Sequence, residues 1–238
     1  MRIHFHNWHI ISKGFIINIS KKMFELNDNI EVKESLFKCS SIYTIDNFYK
    51  NPDKIVNFLL EKIPDFHNKN EYPSFNSIYF EDRRHNIKSD EVFKIYNFLS
   101  NICKQNIECN HNEIITNFCR FKKHKFNDYK NNYWCPHKDN GYTAIVFLNE
   151  NDFYSGTNLY EKLNINEDCI DNFPEHYAPW KNKKKFKLIN SIEPKYNRMV
   201  LFDGFKYLHG MNICNDDYFG ENYRMNQVVF FQDPNYLK

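Results

Sequence analysis

At 238 residues, with 32 Lys and Arg against 30 Asp and Glu, the chain carries a formal charge of +2, too little to steer it toward nucleic acid or an anionic membrane surface. Aromatic residues make up 18%, with 23 Phe and 16 Tyr, a composition that excludes a disordered chain and supplies a large packed interior. No run approaches the ~18 consecutive apolar residues of a membrane helix, and the seven cysteines, with no CxxC pair among them, exclude a disulfide scaffold or zinc knuckle. A soluble, cytoplasmic protein without a signal peptide is the expectation.

Residues 1 to about 40 lack a clear period, and His4, His6 and His9 crowd a tract read as a flexible or edge-strand element outside any site. Alternation from Ile42 to Phe48 predicts a short strand. Asn51-Pro52 then offers a cap and a first helical residue, and Ile55, Phe58, Leu59 and Ile63 at three- and four-residue steps predict a helix ending near Pro64. Tyr72 to Phe80 reads as an extended stretch crossing the mouth of the core. Ser89, with Asp90 and Glu91 in the first turn, starts a second helix with Val92, Ile95, Phe98, Leu99 and Ile102 on one stripe.

From about residue 113 the period changes to two. Strands are expected at 114–121, 143–149, 158–163, 187–192, 199–203 and 224–232. The polar insertion at 164–186 reads as a lid or a surface excursion. Helices first and strands afterwards give an α+β, mainly β layout in one domain from residue 41 to 238. Its helical support spans about 50–104, and its jelly-roll core of two sheets closed over each other spans about 113–232.

In Trp134-Cys-Pro-His-Lys-Asp-Asn-Gly141, the HxD spacing on an extended segment sets His137 and Asp139 on one side and Lys138 on the other. His209, after the apolar strand Met199–Asp203 and the turn Asp203-Gly204, provides a second imidazole. Two His and one carboxylate are the donor set that holds non-haem Fe(II) with positions left open. Taken singly, each residue also fits a turn or a strand end; their joint order favours the metal. Arg224, 224 − 209 = 15 positions beyond His209, heads an apolar strand, and its planar fork suits a dicarboxylate cosubstrate. A strand-edge ion pair is its plainer role. Thr143, Tyr133 and Asn226, the last on the same strand face as Arg224, are further candidates for cosubstrate contact. Cys135 is set aside, because a soft thiolate does not suit a ferrous oxygenase site.

HxD at 137–139, Tyr142-Thr-Ala-Ile-Val-Phe-Leu-Asn, Ser155-Gly-Thr-Asn-Leu-Tyr, Val200-Leu-Phe-Asp-Gly, His209 and Arg224, in that order, resemble the 2-oxoglutarate and Fe(II)-dependent oxygenase superfamily, its prolyl-hydroxylase-like branch in particular. Tyr43-Thr-Ile-Asp-Asn-Phe-Tyr-Lys-Asn-Pro-Asp-Lys and Tyr72-Pro extend the likeness upstream, to a group of such proteins common in phages and marine bacteria. The resemblance implies a double-stranded β-helix with His137, Asp139 and His209 on iron and Arg224 on the distal carboxylate of 2-oxoglutarate. It further implies consumption of O2 with release of succinate and CO2, and hydroxylation of a small-molecule or peptidyl substrate rather than halogenation, since related halogenases carry a small residue where Asp139 stands. No nucleic-acid or membrane partner is expected. A non-redox cupin-like metal enzyme and a non-catalytic jelly-roll binding module are the alternatives.

Overall fold

The strands form a large, a small and a two-stranded antiparallel sheet, and the two amphipathic helices of the first half cover the large one. The computed structural model describes residues 23–37, 40–61, 77–81, 90–103, 115–121, 130–139, 141–150, 156–163, 180–213 and 224–231. The His-rich start, residues 72–76 and the insertion from 164 to 179 lie outside these. Its elements are β1 Glu31–Phe37, β2 Ser40–Asp46, α1 Pro52–Glu61, β3 Ser77–Glu81, α2 Asp90–Cys103, β4 Ile115–Phe121, β5 Asn132–Trp134, β6 Tyr142–Phe147, β7 Thr157–Lys162, β8 Trp180–Asn182, β9 Phe186–Ile192, β10 Met199–Asp203, β11 Leu208–Met211 and β12 Arg224–Phe231. Among the described residues no helix is long and apolar enough to cross a membrane.

A seven-stranded sheet runs in the order β1-β2-β10-β6-β12-β4-β3, a three-stranded one in the order β11-β7-β9, and β5 pairs with β8. Alternation along β6 explains the layering. Ala144 and Val146 join Ile45, Met199, Leu201 and Val229 under Ile55 of α1 and Ile95 and Leu99 of α2. Ile145 and Phe147 turn the other way, onto Val200, Phe202, Leu159 and Ile192 between the sheets. Each of these side chains larger than Ala144 contributes about 1.5–3 kcal/mol on burial, so both faces of the large sheet are held by its own pleat.

Three expectations change. The stretch expected to cross the mouth is, at Ser77–Glu81, an edge strand paired with β4. The end of the polar insertion is regular structure: Trp180–Asn182 pairs with β5, sealed by the edge-to-face pair Trp134–Trp180 at 5.1 Å, and Lys183–Lys185 forms a 3-10 turn. Of the residues before 41, Glu31–Phe37 and Ser40 also belong to the sheet, because β1 pairs along its length with β2.

One buried amide ties the large sheet to the segment before α1. Asn197, at φ 60°, accepts from Tyr49 N at 2.8 Å and donates to Tyr49 O at 2.8 Å, satisfying both main-chain groups of a residue with no exposed surface. Asn tolerates the left-handed region that costs other residues about 1 kcal/mol. Replacing Asn197 by Ala orphans two buried groups at about 1–3 kcal/mol each. Denaturant titration of Asn197→Ala should therefore show a loss of about 3–5 kcal/mol, with Asn197→Gly recovering only the conformational part.

Candidate metal centre

β5 ends at Trp134, and Cys135 then adopts φ 44°, a sparsely populated conformation for a residue with a side chain. That kink brings His137 alongside β11. His137 N donates to His209 O at 3.0 Å and His209 N to His137 O at 2.8 Å, an antiparallel bridge whose paired residues share a face. His209 stands opposite Leu159 of β7, which lies between the sheets, so both imidazoles face the interior of the sandwich. Phe202 packs edge-on against His209 at 4.9 Å.

Two glycines make the approach possible. A Cβ on Gly210 would lie 2.1 Å from Trp134 O, and one on Gly204 would lie 2.4 Å from Thr143 Oγ1 and 3.0 Å from Asp139 Cβ. Gly204 belongs to a turn fixed by buried Asp203, whose Oδ1 accepts from Phe205 N and Lys206 N at 3.1 Å each. Gly204 O in turn accepts from Asp139 N at 3.0 Å.

His137, Asp139 and His209 offer one ligand atom each, all within 4.8 Å of one another. Asp139 Oδ2 lies 3.0 Å from His209 Nε2, and Oδ1 lies 3.8 Å from His137 Nε2. His137 Nδ1 contacts Cys135 O at 2.7 Å and His209 Nδ1 contacts Tyr207 O at 3.4 Å. A carbonyl only accepts, so each Nδ1 is assigned the proton and each Nε2 keeps its lone pair. Two lone pairs and a carboxylate converging in one place call for a cation. The set fits a divalent first-row metal with positions left open. His209 is 3% exposed, whereas the His137 side chain is 27% exposed, so among the described residues the centre is more open on the His137 side.

The charge states suit ligation. Burial pushes the Asp139 carboxyl up, but in the metal-free protein the hydrogen bond and charge of His209 and the charge of His137, both in their protonated forms, together with the Thr143 hydroxyl outweigh it and hold the group at about 2. Burial, with the charge of His137, pushes His209 below the ordinary histidine range against the pull of Asp139. Both groups bind protons more readily unfolded than folded, so stability must fall as pH falls. In chelator, urea midpoints should drop as pH passes below about 6.5, where unfolded His209 protonates, and again below the ordinary carboxylate value of 3.8 as Asp139 follows. A midpoint that rose between pH 7 and 5.5 would contradict this.

Of the other residues singled out from the sequence, Thr143 comes to the centre: its hydroxyl donates to Asp139 Oδ2 at 2.6 Å. Asn226 is 4% exposed on β12, opposite Phe147 of β6, and its Oδ1 has no hydrogen-bond partner among the described residues. Tyr133 packs against Tyr160, with tilted rings 4.5 Å apart, and lies beneath the Lys183 ammonium at 5.1 Å. Arg224 opens β12 opposite Phe121 of β4, two positions before Asn226; its side chain lies outside the described residues. Sequence reasoning passed over the space left by Gly204 and Gly210 and the carbonyl of Cys135. The Asp-Gly pair signalled the first only as a turn.

No family model and no curated protein matches this sequence. Among solved structures the chain is similar to a prolyl 4-hydroxylase from Phytophthora capsici, with TM-score 0.47 and 13% identity over 81% of this chain and 59% of that one. It is also similar to a prolyl-4-hydroxylase from Pseudomonas putida, with TM-score 0.33 and 11% identity over 76% of this chain and 82% of that one. The chain thus spans 59% of the length of the first.

Proposed function

We propose that this protein is an Fe(II)- and 2-oxoglutarate-dependent dioxygenase that hydroxylates a small-molecule or peptidyl substrate. The observation that carries the reading is the convergence of His137, Asp139 and His209, two imidazoles and one carboxylate whose ligand atoms all lie within 4.8 Å of one another, from segments about seventy positions apart. The order of strands supports a double-stranded β-helix around it. From β4 onward the chain visits the large sheet, β5, the large sheet and the small sheet, then β8, and then the small sheet, the large, the small and the large again. The His137–His209 bridge joins the segment after β5 to β11 of the small sheet. Such a palindromic winding closes two sheets on one another with the centre inside.

When bound, the metal supplies the place where O2 and the keto acid of 2-oxoglutarate meet, coupling decarboxylation to succinate and CO2 with hydroxylation of the substrate. The chain contributes the rest. Cys135 O and Tyr207 O fix the tautomers and ring planes of the two imidazoles. Asp139 stays ionised and fills a third protein position, which favours hydroxylation over halogenation. Arg224 opens β12 where a fork can anchor the distal carboxylate, and Asn226 lies further along the same strand face. Phe147, Ile145 and Phe202 provide apolar walls between the sheets that exclude water from the reaction.

Purified protein given Fe(II), O2 and 2-oxoglutarate should form succinate even without its prime substrate, and chelation should abolish this. Metal bound without 2-oxoglutarate affinity would point instead to a non-redox cupin-like enzyme; no metal bound would leave a binding module.

A further inference from the structure

We infer that Thr143 is a positioning residue for the metal-ligating carboxylate of Asp139, and that its hydroxyl does not bind the cosubstrate. The inference rests on the reading of His137, Asp139 and His209 as metal ligands. Thr143 is 1% exposed, and its Oγ1 donates to Asp139 Oδ2 at 2.6 Å, a short bond of the charge-assisted kind. An ionised carboxylate only accepts, so the single proton of Thr143 is committed to Asp139. None is left for the carboxylate of 2-oxoglutarate.

The surroundings hold that bond in place. Thr143 sits inside the large sheet, opposite Phe202 of β10 on one side and Phe230 of β12 on the other, and branching at its Cβ restricts χ1. Gly204 leaves the space the hydroxyl needs, since a Cβ there would lie 2.4 Å from Oγ1. Asp139 is therefore fixed twice, through its main-chain N–H on Gly204 O and through Oδ2 on Thr143. The second contact matters because the terminal torsion of Asp is soft. Without the hydroxyl, the carboxylate is free to rotate out of the position in which Oδ2 lies 3.0 Å from His209 Nε2 and Oδ1 3.8 Å from His137 Nε2. With Oδ2 held, Oδ1 stays on the His137 side, 3.8 Å from His137 Nε2.

The test is anaerobic titration with Mn(II) and with Co(II), whose spectrum reports ligand geometry, on wild type, Thr143→Val, Thr143→Ala and Thr143→Ser. Loss of the hydroxyl in the valine and alanine variants should weaken metal binding ~10–100-fold, the range for partners that orient a ligand, and alter the Co(II) spectrum. Serine should restore both. The alanine variant carries the test if the valine does not fold. At saturating metal, 2-oxoglutarate affinity should be unchanged in all four. Wild-type metal affinity in the valine and alanine variants overturns the inference and leaves the metal reading intact. A weaker 2-oxoglutarate affinity with intact metal binding overturns it in favour of a cosubstrate contact. Wild-type protein that binds no metal overturns the metal reading and this inference with it.

Discussion

Alanine at His209 is expected to lower Mn(II) or Fe(II) affinity by more than about 100-fold, because even the partners that merely orient metal ligands are worth 10–100-fold. The readout that isolates the effect is the thermal shift on adding metal. A ligand present at 100 times its Kd stabilises the folded state by about 2.7 kcal/mol, which raises the Tm of a domain of this size by about 5–10 °C. His209→Ala should lose that shift. The variant also leaves a cavity beside Phe202, at 4.9 Å from the ring, so its Tm without metal falls as well; comparing each variant with and without metal removes this term. His137→Ala and Asp139→Ala should lose the shift with less effect on the metal-free protein, since their side chains are 27% and 16% exposed against 4% for His209. A full metal shift in all three variants would place the metal elsewhere.

Leucine at Arg224 is expected to raise the Kd for 2-oxoglutarate by about 30-fold or more while metal affinity stays at the wild-type value, since breaking one partner of a buried charged pair costs about 2–5 kcal/mol. Lysine should fall between, keeping the charge without the planar fork. Calorimetry on Mn(II)-loaded protein under nitrogen separates the two affinities. The position of Arg224 at the first residue of β12, on the strand that carries buried Asn226, motivates the experiment. If Arg224→Leu bound 2-oxoglutarate as the wild type does, the dicarboxylate anchor would be another residue. If neither form bound it, a cupin-like enzyme without redox chemistry would be the better account.

Long, strongly periodic elements were legible in the sequence. Both helices, and the strands at 115–121, 142–147, 157–162, 186–192, 199–203 and 224–231, follow from apolar spacing, within one or two residues at the ends the structure describes. β5, β8 and β11 were not, because three or four residues carry no period of their own and owe their conformation to the strand beside them. β1 was hidden for another reason: Glu31, Lys33, Glu34 and Ser35 lie on an exposed edge, where no apolar alternation is needed. At the centre, the shared side of His137 and Asp139 followed from their spacing, but their meeting with His209 depends on a backbone bridge and two glycines whose role is to be small. Thr143 and Tyr133 show the limit of local reasoning. Each was a polar residue near the HxD segment, yet one turns onto Asp139 and the other onto Tyr160 and Lys183, a difference set by the pleat and by the kink at Cys135.

The most direct test of the central claim is a crystal structure of the protein soaked anaerobically with Mn(II) and 2-oxoglutarate. The expected result is one metal bound by His137 Nε2, Asp139 and His209 Nε2, with the keto acid on the metal and the distal carboxylate on Arg224. A metal held by other residues, or 2-oxoglutarate absent from a site where the metal is bound, would contradict it.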